Sequence, residues 1–190
     1  AHERTLSIRV NASPTGPRIN TGGVVGGGLG PPRVSQISPN AIVSIFGENF
    51  APAGTAALAG GADLVGGRLP TRFGGLCVQI GPQLASIFHV FANQINVQVP
   101  SLPTGAVAVQ VLRNCGAPDE IRSNQETVTL QAASPEFFYF ARNPDGRNPI
   151  VAINAVTGLL VGTPGLLPGA AFAPARPGDA VALFATGFGR

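Results

Sequence analysis

Wherever this chain gathers β-branched and aromatic residues, glycine or proline soon cuts the run short. The runs AIVSIF (41–46), LCVQI (76–80), ASIFHVF (85–91), QINVQV (94–99), AVAVQVLR (106–113) and ETVTLQ (126–131) each suit a single strand. EFFYFA (136–141), IVAIN (150–154) and AVALFA (180–185) follow in the same style. With 26 Gly and 18 Pro among 190 residues, turn signals recur throughout. ETVTLQ and INVQV alternate apolar with polar, the two-residue period of a half-buried strand. No stretch carries a helical period, and the glycines of TAALAGGADL (55–64) argue for a loop. Many short strands with turns at this spacing predict an all-β sandwich or barrel.

The first residues stand apart. TLSIRV (5–10) places Leu6, Ile8 and Val10 on one face and Thr5, Ser7 and Arg9 on the other. Residues 11–33, NASPTGPRINTGGVVGGGLGPPR, are mostly Gly, Pro and polar, apart from Ile19, Val24, Val25 and Leu29. Their composition reads as a linker. The predicted organisation is an extension over 1–33, a strand at 5–10 plus its tether, followed by one domain over 34–190.

Charged residues are only 11% of the chain, the net charge is +3, and every basic residue is Arg. The arginines are scattered from Arg4 to Arg190, without the concentrated positive footprint of a nucleic-acid groove. No apolar run reaches the length of a membrane span. The chain contains no Met and opens on AHERTL, which leads us to expect a removed secretory signal and an extracellular location. NAS at 11–13 fits a glycosylation acceptor, but Pro14 follows it. Cys77 and Cys115 each adjoin a strand-like run. An exported chain with two cysteines favours one disulfide, and two buried thiols are the alternative.

A search for reactive groupings finds little. AHERTL starts like a zinc-protease helix, but Leu6 stands where the second His belongs. A zinc site wants four ligands and the only histidines are His2 and His89, so metal binding is poorly supported. GGVVGGGLGPP lacks the Lys-Ser/Thr pair of a phosphate loop. A G-x-S-x-G elbow is missing too. His89 lies in an apolar strand, the ordinary setting of a packed histidine. Asp119 and Glu120 are adjacent and suit a solvated turn better than a calcium loop. The aromatics of EFFYF (136–140) alternate Phe138 and Phe140 against Phe137 and Tyr139. A run apolar on both faces requires a cover for its outer face. The expectation is no enzyme, no cofactor and no metal.

VSQISPNAIVSIFGENFAP (34–52) resembles the opening of an Ig-like sandwich of the transcription-factor (IPT/TIG) type. IVSIFGENFAP, LPTRFGGLCVQIG, ANQINVQVP, LRNCG, ASPEFF and PARPGDAVALFATGFG occur in the order of the Solibacter-type uncharacterised C-terminal domain of secreted bacterial proteins. The likeness covers about residues 34–189. It implies an exported Ig-like β-sandwich and no particular reaction. In that family further strands usually follow TGFG, whereas here Arg190 follows, so an unpaired sheet edge is expected.

Two functions fit these features. The first is a structural subunit that adds Thr5–Val10 to the open sheet of another copy, building a head-to-tail homopolymer such as a pilus-like filament. Thr5, Leu6, Ser7, Ile8, Arg9 and Val10 would form the subunit interface, with Leu6, Ile8 and Val10 filling pockets. The second is an Ig-like spacer or adhesin module of a larger secreted protein, holding a surface glycan or peptide.

Overall fold

A computed structural model describes residues 16–143 and 145–189. The predicted donor segment Thr5–Val10 lies outside these residues. The fold is all-β, as the turn spacing predicts. Its strands are β1 (Arg18–Gly26), β2 (Ile42–Glu48), β3 (Ala56–Leu58), β4 (Leu76–Ile80), β5 (Gln83–Leu84), β6 (Ser86–Phe91), β7 (Gln94–Gln98) and β8 (Gly105–Arg113). They continue with β9 (Ile121–Arg122), β10 (Glu126–Leu130), β11 (Glu136–Phe137), β12 (Ala152–Asn154), β13 (Leu160–Val161), β14 (Phe172–Ala173), β15 (Val181–Leu183) and β16 (Ala185–Thr186). TAALAGGADL contributes β3 and one 3-10 turn, Gly61–Asp63.

Two five-stranded sheets carry the core. One has the order β1-β2-β7-β6-β3; the other has β10-β8-β4-β5, with β9 beside β8. All pairings within them are antiparallel. The two-residue period sorts the side chains. Val43, Ile45, Ile87, Val90, Ile95 and Val97 from the first sheet meet Val78, Ile80, Val109, Val111, Val128 and Leu130 from the second, all buried. Each such side chain contributes about 1.5–3 kcal/mol by leaving water.

On the other face of the first sheet sits a small polar cluster. Ser44 Oγ donates to Asn96 Oδ1 at 3.1 Å, and Gln94 Nε2 donates to the same oxygen at 2.8 Å. Ser44 is fully buried, so this pairing satisfies a hydroxyl that would otherwise be costly.

The linker reading of 11–33 is corrected for residues 18–26. They form β1, the edge strand beside β2, and Ile19 and Val24 belong to the core. The register shifts between Ile19 and Val24, where Gly22 has φ 65°. A side chain there is disfavoured, and the glycine allows the bulge. The glycine-rich composition hid a strand because glycine here permits close packing. An alanine Cβ at Gly23 would come 2.5 Å from Phe46 O, and at Gly27 2.7 Å from Ile42 O.

Cys77 and Cys115 are joined in a disulfide, with Cα atoms 5.8 Å apart and a sequence separation of 38. Cys77 lies in β4 opposite Leu112 of β8, so the bond fastens the loop after β8 to its neighbouring strand. Arg72 Nη1 also donates to Cys115 O. No helix among the described residues is long and apolar enough to cross a membrane.

Candidate assembly interface

After β10 the architecture changes. β11 pairs with β16, and a four-stranded sheet has the order β14-β13-β12-β15. β15 is antiparallel to β12, while β13 and β14 are parallel. The central apolar cluster ends at Leu130; beyond it, among the described residues, only Ala152, Thr186 and Gly187 are buried. Phe140 meets Phe172 edge-on with centroids 5.0 Å apart. Against that small contact stand exposed Phe137, Val156, Leu159, Val181, Leu183, Phe184 and Phe188. A sheet must bury one face against another layer, and this one contributes no residue to the central apolar cluster. Its exposed apolar side chains have the character of an interaction surface.

The predicted strand 136–141 is correspondingly reduced. Only Glu136 and Phe137 pair with β16, and Tyr139 makes an isolated bridge to Ile150. The glycine-rich stretch after β1 packs against this segment. An alanine Cβ at Gly28 would lie 2.5 Å from Phe137 O, and one at Gly30 would lie 3.2 Å from the Tyr139 ring. Burial pushes the Glu136 carboxyl above its ordinary pKa, partly offset by a hydrogen bond from Gly28 N.

Specific polar contacts fix β16 and the residues leading into β11 to one end of the sandwich. Ile42 N donates to Thr186 Oγ1 at 2.7 Å, Ser38 Oγ donates to Gly187 O at 3.1 Å, and Ser134 Oγ donates to Gln36 O at 2.9 Å. The start of the described chain lies at the opposite end of β2, where Asn49 Nδ2 donates to Gly16 O at 3.3 Å. Phe188 hangs over an apolar groove with Pro39, Leu102, Pro103, Ala132 and Ala133.

The outer edge of β1 is closed by side chains. Asn124 Oδ1 accepts from Ile19 N at 2.8 Å, and its Nδ2 donates to Ile19 O at 3.0 Å. Glu126 Oε1 accepts from Gly22 N at 2.7 Å. An edge whose backbone groups are already bonded is a poor template for another strand.

The residues weighed for chemistry are occupied structurally. His89 lies in β6 beside Asn96 and edge-on to Phe91 at 5.8 Å, and burial lowers its pKa. Asp119 Oδ2 accepts from Asn114 Nδ2 at 2.7 Å. Glu120 accepts from Gly116 N at 2.9 Å and pairs with Arg122 at 2.7 Å; chiefly the Gly116 bond holds its pKa down. Among the described residues no group of three His, Cys, Asp or Glu is placed to hold a metal ion. A cleft of about 680 Å³ is lined in part by Asn40, Arg68, Gln83, Ser86, Gln98 and Ser101.

Sequence reasoning foresaw an unpaired edge but not which residues form it. Comparison with protein-family models, with curated proteins and with solved structures finds no match.

Proposed function

We propose that the protein is a non-enzymatic extracellular structural subunit, built on an Ig-like sandwich of the Solibacter type. It assembles head-to-tail by giving Thr5–Val10 to another copy. The observation that carries this reading is the uncovered sheet of β12 to β15, whose last strand leads into β16 at the end of β2 opposite Gly16. β2 alone spans about 20 Å. Six Cα steps from Val10 to Gly16 reach about 21 Å when fully extended. The tether only matches the length of that one strand, which favours donation to a neighbour over closure on the same chain. Such a contact does not close on itself, so it propagates. The disulfide accords with an oxidising compartment.

Negative-stain microscopy and size-exclusion chromatography of the native protein test this reading. Filaments or an oligomer ladder are expected, and Ile8→Arg is expected to abolish them. A native protein that stays monomeric sinks it.

A second reading, a glycan-holding spacer module, draws on the cleft lined by Asn40, Gln83, Gln98 and Arg68. Amide and guanidinium groups hydrogen-bond hydroxyls well. Binding of a monomer to a glycan array, lost in Arg68→Ala, favours it.

A further inference from the structure

PNAIVSIFGENF (39–50) has a counterpart in PGDAVALFATGF (177–188). Pro39, Val43, Phe46 and Phe50 match Pro177, Val181, Phe184 and Phe188 at the same spacing. The backbone repeats as well. Ala41 N donates to Ser38 O at 3.1 Å, and Asp179 N donates to Arg176 O at 3.0 Å. Asn40 and Gly178 both have positive φ, 62° and 91°, as do Asn49 and Gly187, 58° and 81°. In each copy the strand pairs antiparallel with one that precedes it, β2 with β1 and β15 with β12.

There the copies part. Val43, Ile45 and Phe50 are 0%, 0% and 1% exposed; Val181, Leu183 and Phe188 are 38%, 54% and 65% exposed. The second edge of β2 carries β7, and the second edge of β15 carries no strand among the described residues. Phe184 N donates to Val151 O at 2.9 Å, and Ala155 N donates to Ala180 O at 2.8 Å. Antiparallel pairing alternates, so Val181 and Leu183 turn their N–H and C=O groups to the vacant edge.

We propose that this edge is the acceptor site, and that Thr5–Val10 of a second copy enters it in the place β7 takes beside β2. The proposal rests on the strand-exchange reading above. β7 shows what such a slot takes: an antiparallel strand with Ile95 and Val97, and Val99 just beyond, all buried at alternate positions. Leu6, Ile8 and Val10 repeat that row. They extend the apolar face of Val181 and Leu183, while Ser7 and Arg9 fall on the outer face with Ala182 and Phe184. The edge of β1, already bonded by Asn124 and Glu126, does not compete.

Two variants and a peptide test it. Ile8→Arg removes the donor; Leu183→Arg removes the acceptor at a side chain exposed enough to tolerate Arg. Each alone is expected to be monomeric by light scattering, and their equimolar mixture to form dimers and nothing larger. In a second measurement, a synthetic peptide of residues 1–14 is added to the Ile8→Arg protein. Amide exchange is expected to slow at Val181 and Leu183 and to change little at Ala182, which already faces β12. If Ile8→Arg stops assembly and natively folded Leu183→Arg does not, the acceptor lies elsewhere and strand exchange stands. If Ile8→Arg assembles like the native protein, strand exchange itself fails. Peptide protection at another edge overturns the site. So does protection of Val181 and Leu183 in the Ile8→Arg monomer alone, since the chain then covers its own edge.

Discussion

Glu136 and the glycines around it show how single residues tie β11 to the sandwich. The carboxyl lies against the backbone at Gly26 and accepts from Gly28 N. At Gly26 an added methyl meets the mobile end of Glu136, but at Gly28 it meets Phe137 O, which is backbone and cannot swing aside. Gly28→Ala is therefore expected to cost about 1–3 kcal/mol in urea denaturation, and Gly26→Ala less. The raised pKa of Glu136 has its own signature. An acid whose folded pKa is raised favours the folded state below its unfolded pKa. That advantage is lost as pH rises through the ordinary Glu range to the raised value. Glu136→Gln should flatten this part of the stability profile and stabilise the protein slightly at neutral pH, by less than about 1 kcal/mol because the group is partly solvated. Thermal melts of both proteins at acid and neutral pH check the direction. None of this could be read from GGVVGGGLG, because the partner that makes the glycines necessary stands more than a hundred residues away.

Strands with clean alternation were legible as elements. LCVQI, QINVQV, AVAVQVLR and ETVTLQ coincide with β4, β7, β8 and β10 to within a residue at each end. β1 was not legible, since its bulge breaks the two-residue period and its glycines resemble a tether. It persists because Asn124 answers both backbone groups of buried Ile19. Asn124→Ala should cost about 1–3 kcal/mol, the penalty of leaving such groups unpaired. Hydrogen exchange should then quicken at Ile19 and remain slow at Ile95 and Val97. The disulfide constrains the other sheet. Replacing both Cys77 and Cys115 with Ser should remove roughly 3–4 kcal/mol, as expected for a loop of this length. A lower urea midpoint with unchanged far-UV circular dichroism is the expected result.

The whole molecule divides into a well-cored part, 18–131, and a part from 132 onward with little interior of its own. Limited proteolysis of the monomer should cut first between 141 and 180 and leave the first part intact, because local opening is easiest where few apolar contacts resist it. Assembly should suppress those cuts. The candidate site was only partly visible in sequence: an open edge could be anticipated, but the repeat of Pro39, Val43, Phe46 and Phe50 in Pro177, Val181, Phe184 and Phe188 carries few identities. It stands out once the paired turns and positive φ angles are compared.

Two such similar strands in one chain set a sorting problem during folding, for β7 could zip onto either. Ser44 resolves it. Its hydroxyl meets Asn96, which also receives Gln94, whereas the corresponding position beside Val181 is Ala182. A β7 laid on the wrong strand would bring Asn96 and Gln94 against a methyl group and forfeit those bonds. One hydroxyl thus distinguishes β2 from β15 as a partner for β7.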